Sequence, residues 1–153
     1  MGESSGMNND DLFNSIPEIG TRILFIFDKF KCIQEDKIVY LDYITLYAND
    51  FFADLKSINT KIPNYSTELI TLYPRYREAI KYLIIKGFLN VKLKNGGYFY
   101  YPNKYVNEYI KLFDGEYIVN YQKNLQKVLL NYEKCSSKEL LHVINEAKRK
   151  LGD

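Results

Sequence analysis

Apolar residues recur three or four positions apart along much of the chain, the spacing of helices with one buried face. A first helix is predicted to begin after Ser15, which with Glu18 has the spacing of a capping box, and to end near Lys31. Its apolar face comprises Ile19, Ile23, Ile26, Phe27 and Phe30. A second helix is predicted in VYLDYITLYANDF, with the apolar set Leu41, Ile44, Leu46, Tyr47 and Phe51.

The next apolar stretch, ELITLYPRYREAIKYLIIKG, contains a proline. The segment KSINTKIPNYS before it is rich in turn formers and is predicted to be a loop. Since proline lacks an N–H group and clashes with the preceding turn, we expect Pro74 to divide the helix. The prediction is a short helix to about Leu72 and a main helix from Pro74 to Lys86, stopped by Gly87.

The polar and apolar residues then alternate, as in a β-strand. FLNVKLK, the turn signal NGG and YFYY predict a hairpin that ends at Pro102. In this hairpin Tyr98 and Tyr100 share one face, and Phe99 and Tyr101 share the other. Helices followed by a strand, a turn and a strand predict a mainly α protein with a β-hairpin wing, namely a winged helix-turn-helix domain with additional C-terminal helices.

Narrow apolar stripes predict the C-terminal helices. NKYVNEYIKLF is short, EYIVNYQKNLQKVLLNY is longer, and Ser136 with Glu139 predicts a capping box for the last helix. The stripes consist of Ile118, Tyr121, Leu125, Val128 and Tyr132, then Leu140, Ile144, Ala147 and Leu151. The predicted organisation is a disordered N-terminus or tag remnant at 1–13, a winged-helix domain at 14–114, and a helical extension for partner binding at 115–153.

Composition excludes few function classes. The net charge is +2, far from that of a dedicated nucleic-acid binder. The chain has 15 tyrosines, which suit protein interfaces but also accompany an A/T-rich genome. Cys32 and Cys135 lack metal-ligand spacing, and no apolar run approaches the roughly 18 residues that span a membrane. A cytoplasmic protein with no membrane contact is expected.

No arrangement of residues predicts catalysis. His142 is the chain's single histidine and is interpreted as a surface or interface residue. Asp42, Asp50 and Asp54 have helical spacing but are interpreted as a solvated face rather than a metal site. No phosphate-binding loop is present. We expect a protein that is not an enzyme and binds no cofactor or metal.

The helix before the wing and the wing itself are basic. Arg75, Arg77, Lys81, Lys86, Lys92 and Lys94 against Glu78 give six positive charges and one negative charge, or +5. Such charge attracts phosphates, and in a winged helix the helix before the wing normally enters the major groove. The residues predicted for a possible contact with DNA are Arg75, Arg77, Lys81, Lys92 and Lys94.

The chain resembles the middle components of three-component ABC systems over about residues 14–130. NSIPEIGTRILFIF is similar to the family's opening helix, LDYITLYANDF to its second block and YREAIKYLIIKGFLNV to its helix-to-wing segment. The matching positions are Asn14, Ser15, Glu18, Gly20, Arg22, Leu24, Asp42, Tyr43 and Asp50. Tyr47 and Ala48 stand where the family often has a histidine followed by a small residue.

This resemblance implies a small winged-helix adaptor of a bacterial anti-phage or anti-plasmid complex of the Lamassu type. Its implied partners are an SMC- or Rad50-like coiled-coil ATPase and an effector, often a nuclease, which the subunit would bridge. The residues predicted to bind partners are Tyr98, Tyr100, Tyr121, Leu125, Val128, Tyr132, Leu140, Ile144 and Leu151. The alternative function is a winged-helix transcriptional regulator that binds DNA.

Overall fold

Six α-helices, a short 3₁₀ helix (Ala48–Asp50) and one antiparallel hairpin make up the described part of the chain. The computed structural model describes residues 15–59 and 65–151. The helices are α1 (Ile16–Phe27), α2 (Glu35–Leu46), α3 (Tyr65–Ile85), α4 (Val106–Ile110), α5 (Glu116–Tyr132) and α6 (Ser137–Lys150), and the strands are β1 (Leu89–Lys94) and β2 (Gly97–Pro102). We call the β1–β2 hairpin the wing. The predicted class, mainly helical with one hairpin, is confirmed, and the element order is consistent with a winged-helix layout.

Some predictions fall on other parts of the chain. The N-terminal segment 1–13 and Asn14 lie outside the described residues, as does the middle of the predicted loop, at 60–64. The predicted boundary between 114 and 115 stays a prediction, and a single hydrophobic cluster includes buried residues from both sides of it.

Both predicted capping boxes are present. The Glu18 N–H donates to Ser15 Oγ at 3.3 Å, and the Ser15 N–H donates to Glu18 Oε1 at 3.2 Å. The equivalent distances for Ser136 and Glu139 are 3.1 Å and 2.8 Å. Each box satisfies N–H groups that the first turn of a helix leaves without an intrahelical partner. The first helix ends at Phe27, earlier than predicted.

Helix α3 runs through Pro74 without a break, so the prediction of two helices there was wrong. Proline removes one backbone hydrogen bond from a helix, but its neighbours are held by packing. Leu69 and Leu72 before the proline and Tyr76 and Ala79 after it are buried on one face. This continuous apolar face keeps both halves of the helix against the core, while Pro74 itself is exposed.

The predicted turns at both ends of β1 are present. Gly87 ends α3 with φ at 87°, a conformation that glycine adopts without steric cost, and the Phe88 N–H donates to the Leu83 carbonyl at 2.9 Å. Asn95 and Gly96 link the strands with φ values of 51° and 79°. Two residues at positive φ between paired strands form the tight turn that an Asn-Gly pair favours.

The core lies where the helices cross. Helix α1 packs against α3, and α2 packs against α5 and α6. The close approach of α1 to α3 depends on Gly20, because a Cβ atom there would lie 3.3 Å from Leu83 Cδ2. The wing is joined to this body through Ile33, whose N–H and C=O both bond to Tyr100, at 3.1 Å and 3.0 Å.

A buried ion pair lies at the centre of the core. Arg22 of α1 and Asp42 of α2 both have 0% exposed surface. Arg22 Nε lies 3.0 Å from Asp42 Oδ1, and Nη2 lies 3.0 Å from Oδ2. Tyr76 of α3 donates to Oδ2, and Tyr121 of α5 donates to Oδ1 at 2.5 Å. Asp42 was interpreted as part of a solvated face, which was wrong because its carboxylate is enclosed by these helices.

Tyr117 completes the network, since Arg22 Nη1 donates to its hydroxyl at 3.1 Å. Desolvation lowers the pKa of Arg22, but the charge of Asp42 raises it, and the net pKa lies well above the ordinary value. Burial and the charge of Asp42 raise the pKa of both Tyr76 and Tyr121 far above that of a free tyrosine. Arg22 is therefore held as a guanidinium, and Tyr76 and Tyr121 are held as neutral phenols.

Polar side chains also fasten α5 to the rest of the body. Lys37 of α2 donates to the Glu133 carbonyl at 2.6 Å, just beyond the C-terminal end of α5. Asn124, which is buried, donates to the Lys56 carbonyl at 2.7 Å. Both bonds join α5 to segments more than 60 residues away in sequence. The C-terminal helices are thus integral to the core.

We expect Asp42→Asn to lower the free energy of unfolding by about 3–5 kcal/mol, because it leaves the buried Arg22 charge without its counterion. Urea denaturation of the purified chain would measure this. Asp54→Asn is the matched control, since Asp54 pairs with Lys127 at the surface at 3.4 Å, where a pair contributes about 0–1 kcal/mol. Equal losses for the two variants would contradict a stabilising role for the buried pair.

The raised tyrosine pKa values predict a loss of stability in alkali. Tyr76 and Tyr121 stay protonated when folded, whereas in the unfolded chain they ionise near pH 10. Their contribution is present below pH 10 and declines as pH rises toward the folded-state pKa, by about 1.4 kcal/mol per pH unit for each tyrosine. Denaturation curves between pH 9 and 11 should therefore show a shallower decline for Tyr76→Phe than for the wild type. If stability declines with pH equally steeply in Tyr76→Phe and in the wild type, the proposed contribution of Tyr76 is contradicted.

Candidate functional site on the wing

A groove separates the wing from α3. Its walls are the α3 residues Ile80 and Ile84 on one side and the β2 residues Tyr98 and Tyr100 on the other. The N-terminus of α2 closes one end. The groove has a volume of about 420 Å³. Such an apolar cleft with a charged rim suits a protein segment better than a small ion.

The two groove tyrosines differ in how firmly they are held. Tyr98 is 62% exposed at the outer part of the wing. Tyr100 is partly buried and bonded through its backbone to Ile33, and burial followed by the nearby Glu35 charge raises the pKa of its hydroxyl. Tyr98 is thus available to a partner, while Tyr100 forms part of the wall.

The charged rim of the groove is already paired internally. Arg77 Nε lies 2.9 Å from Glu35 Oε2, and its guanidinium lies over the Tyr73 ring at 5.6 Å. The hydrogen bond and charge of Glu35 raise the pKa of Arg77. Tyr73 in turn donates to Asp36. These contacts join α3 to the first turn of α2 and fix one end of the groove.

The two wing lysines lie on the opposite face of the hairpin from the groove. Lys92 Nζ lies 5.2 Å from the centre of the Tyr101 ring, and Lys94 Nζ lies 5.6 Å from that of Phe99. The strand register pairs Lys92 with Phe99 across the hairpin. The predicted alternation of Tyr98 and Tyr100 with Phe99 and Tyr101 is confirmed.

The structure does not gather the predicted DNA-binding residues in one patch. Arg77 and Lys81 line the groove, but Arg75 lies about 200° around α3 from Arg77. Lys92 and Lys94 lie on the far face of the wing. Lys81 is 3.6 Å from Glu78, which offsets its charge. Contact of these residues with DNA stays a prediction without a single docking face.

Most residues of the C-terminal stripes lie in the core. Their apolar faces pack within the chain, against α2 above all, and partner binding by these residues stays a prediction. Tyr132 is partly buried and contacts Phe52, and Leu151 is 42% exposed. The residues of the stripes that are buried are Ile118, Tyr121, Leu125, Val128, Leu140, Ile144 and Ala147.

Comparison with protein-family models decides the family. The model of the ABC-three component (ABC-3C) system Middle Component 2 matches residues 12–153. The chain belongs to this family. Comparisons with curated proteins and with solved structures give no significant match.

In this middle component a second cleft was missed by the sequence reasoning. It lies between α1, α3, α4 and the start of α5, has a volume of about 650 Å³ and is lined by Phe88, Tyr109 and Phe113 among others. The rings of Phe88 and Tyr109 lie 4.5 Å apart, and those of Tyr109 and Phe113 lie 5.2 Å apart. The helical spacing of Tyr109 and Phe113 was visible in the sequence, but their meeting with Phe88 depends on the fold.

The other residues considered as candidates for a chemical site do not form one in the described part of the chain. The His142 side chain is 74% exposed and lies 4.0 Å from Glu146. Within 15–59 and 65–151, no group of three histidine, cysteine or acidic side chains could hold a metal ion. No helix in the same ranges is both long and apolar enough to cross a bilayer.

The burial of α5 predicts opposite results for two leucines of that helix. Leu125 is 4% exposed and Leu130 is 76% exposed. We expect Leu125→Ala to lower the free energy of unfolding by about 2–5 kcal/mol, because it leaves a cavity in the core. Leu130→Ala should change it by no more than about 0.5 kcal/mol. Chemical denaturation measures both, and a stable Leu125→Ala variant would return α5 to the candidate partner surfaces.

Proposed function

We propose that this chain is a non-enzymatic adaptor subunit with a winged-helix domain, and that it assembles with the other components of an ABC-three component system. The observation that carries the proposal is the Middle Component 2 match over residues 12–153. The match is consistent with the contacts of the described ionisable side chains, many of which form ion pairs at the surface or, for Arg22 and Asp42, in the core.

The surroundings of the buried Asp42 carboxylate support a structural role for this residue and not a catalytic one. Asp42 accepts hydrogen bonds from Arg22, Tyr76 and Tyr121. A carboxylate has about four lone-pair sites, and these contacts occupy them. A group so saturated and enclosed is suited to holding helices together and not to proton transfer with a substrate.

The proposed partners are an SMC- or Rad50-like ABC ATPase and an effector, often a nuclease, as in Lamassu-type defence systems. The wing is the surface best suited to contact one of them, because Tyr98, Val91 and Leu93 are exposed there. Exposed apolar residues grouped on one element mark interaction sites more often than scattered ones do. The adaptor would hold the effector beside the ATPase, within the bacterial cytoplasm.

Co-expression tests the adaptor function. We expect the chain, produced with the proteins encoded beside it, to be captured with a coiled-coil ATPase and to remain bound through size-exclusion chromatography, with mass photometry giving the stoichiometry. Apolar burial at the wing predicts a complex that persists when salt is raised, since screening weakens surface ion pairs and not apolar contacts.

A different result would favour the regulator alternative. That result is a chain that captures neither partner and binds duplex DNA by itself, with an affinity that falls steeply between about 50 and 200 mM salt. Replacing Arg75 and Arg77 with Glu would then remove most of the affinity if α3 is the docking helix.

A further inference from the structure

The outer edge of β1 has backbone groups that no residue in the described part of the chain pairs. Tyr100 directs its N–H and C=O to Ile33, so its register partner Val91 is in a pair without direct hydrogen bonds. In an antiparallel ladder such pairs alternate with bonded ones, so the N–H and C=O groups of Val91 and Leu93 point away from β2. No described residue forms a strand on that side of β1.

The side chains along this edge are also exposed. Residues 90–94 are all exposed, and Val91 and Leu93 have 42% and 67% of their surface in contact with solvent. Leu93 pairs with Tyr98 on the groove face of the wing. An apolar row beside open backbone groups is the arrangement to which another strand adds.

The charge of the wing decides which kind of strand fits. Residues 89–102 contain two lysines and no Asp or Glu. Lys92 and Lys94 lie on one face, opposite Val91 and Leu93. Pairing with a second copy through this edge would place four lysines on one face of a continuous sheet without a carboxylate between them, and like charges across strands destabilise a sheet.

We propose that the open edge of β1 takes up an extended segment of a partner protein as an additional strand, and that this segment alternates apolar with acidic residues. Its apolar side chains would cover Val91 and Leu93, and its carboxylates would meet Lys92 and Lys94. The proposal rests on the adaptor function and names the surface by which the chain holds one of its partners. Duplex DNA fits this edge poorly, because the side chains of Val91 and Leu93 carry neither a charge nor a hydrogen-bond donor for a phosphate group.

The variant Val91→Pro tests the outer edge of β1 while leaving the hydrogen bonds within the wing in place. Proline removes the N–H that points outward but none of the bonds between β1 and β2, and edge strands tolerate it for that reason. Val91→Thr is the matched control, because it keeps the N–H and the β-branched shape. In the co-expressed complex we expect Val91→Pro to weaken partner binding at least about tenfold, and Val91→Thr to weaken it far less.

Amide hydrogen exchange on the wild-type complex gives a readout that needs no variant. The amides of Val91 and Leu93 should exchange rapidly in the free chain and become protected in the complex, while that of Lys92, within the hairpin ladder, is slower throughout. Replacing both Lys92 and Lys94 with Glu should weaken the complex by a similar factor, and the loss should shrink in high salt.

The outcomes separate this inference from the adaptor function. A stable complex that Val91→Pro leaves intact, with both amides unprotected, would overturn the edge proposal while the adaptor function stands. Failure of the wild-type chain to capture any partner would instead remove the adaptor function. In a third outcome, replacing both lysines with Glu removes only the affinity of the complex for duplex DNA, and Val91→Pro changes neither binding. That outcome would assign the wing to nucleic acid and overturn the proposal.

Discussion

The carboxylate of Asp42 is the point at which four helices of this chain meet. It receives Arg22 from α1, Tyr76 from α3 and Tyr121 from α5, while Asp42 itself belongs to α2. A buried charge is tolerated only when it is paired and its remaining hydrogen-bonding positions are filled. The mutual arrangement of these helices is therefore fixed by the geometry of one ion pair and its phenols, in addition to the apolar packing around them.

This constraint determines which surfaces are left for partners. Because α5 supplies Tyr121 to the network and Asn124 to the loop after α2, the apolar faces of the C-terminal helices are used within the chain. The wing is attached to the body through α3, through contacts of β2 with α1 and α2, and through the bridge at Ile33. It therefore presents both an exposed apolar face and a strand edge that no described strand pairs, which is why we propose the wing, rather than the C-terminal helices, as the surface for a partner.

The residues that carry the family resemblance have structural explanations. Ser15 and Glu18 cap α1, Gly20 permits its approach to α3, and Arg22 forms the ion pair with Asp42. The pattern from which the family was suspected is thus one that specifies how the first helices fold and pack. It says little about the surface that binds partners, and the predicted partner-binding residues therefore stay a prediction.

The sequence by itself determined the features that depend on neighbouring residues. Helix caps, helical periodicity and the Asn-Gly turn arise from contacts within a few positions, and they predicted most of the helices and the hairpin. The prediction that Pro74 divides the helix was wrong because apolar packing on both sides of the proline outweighs one missing hydrogen bond. Only the tertiary structure decided that Asp42 is enclosed, that most of the C-terminal stripes are buried and that no described strand pairs with the outer edge of β1. Those facts depend on residues distant in sequence, and an amphipathic stripe looks the same whether it faces the chain's own core or a partner.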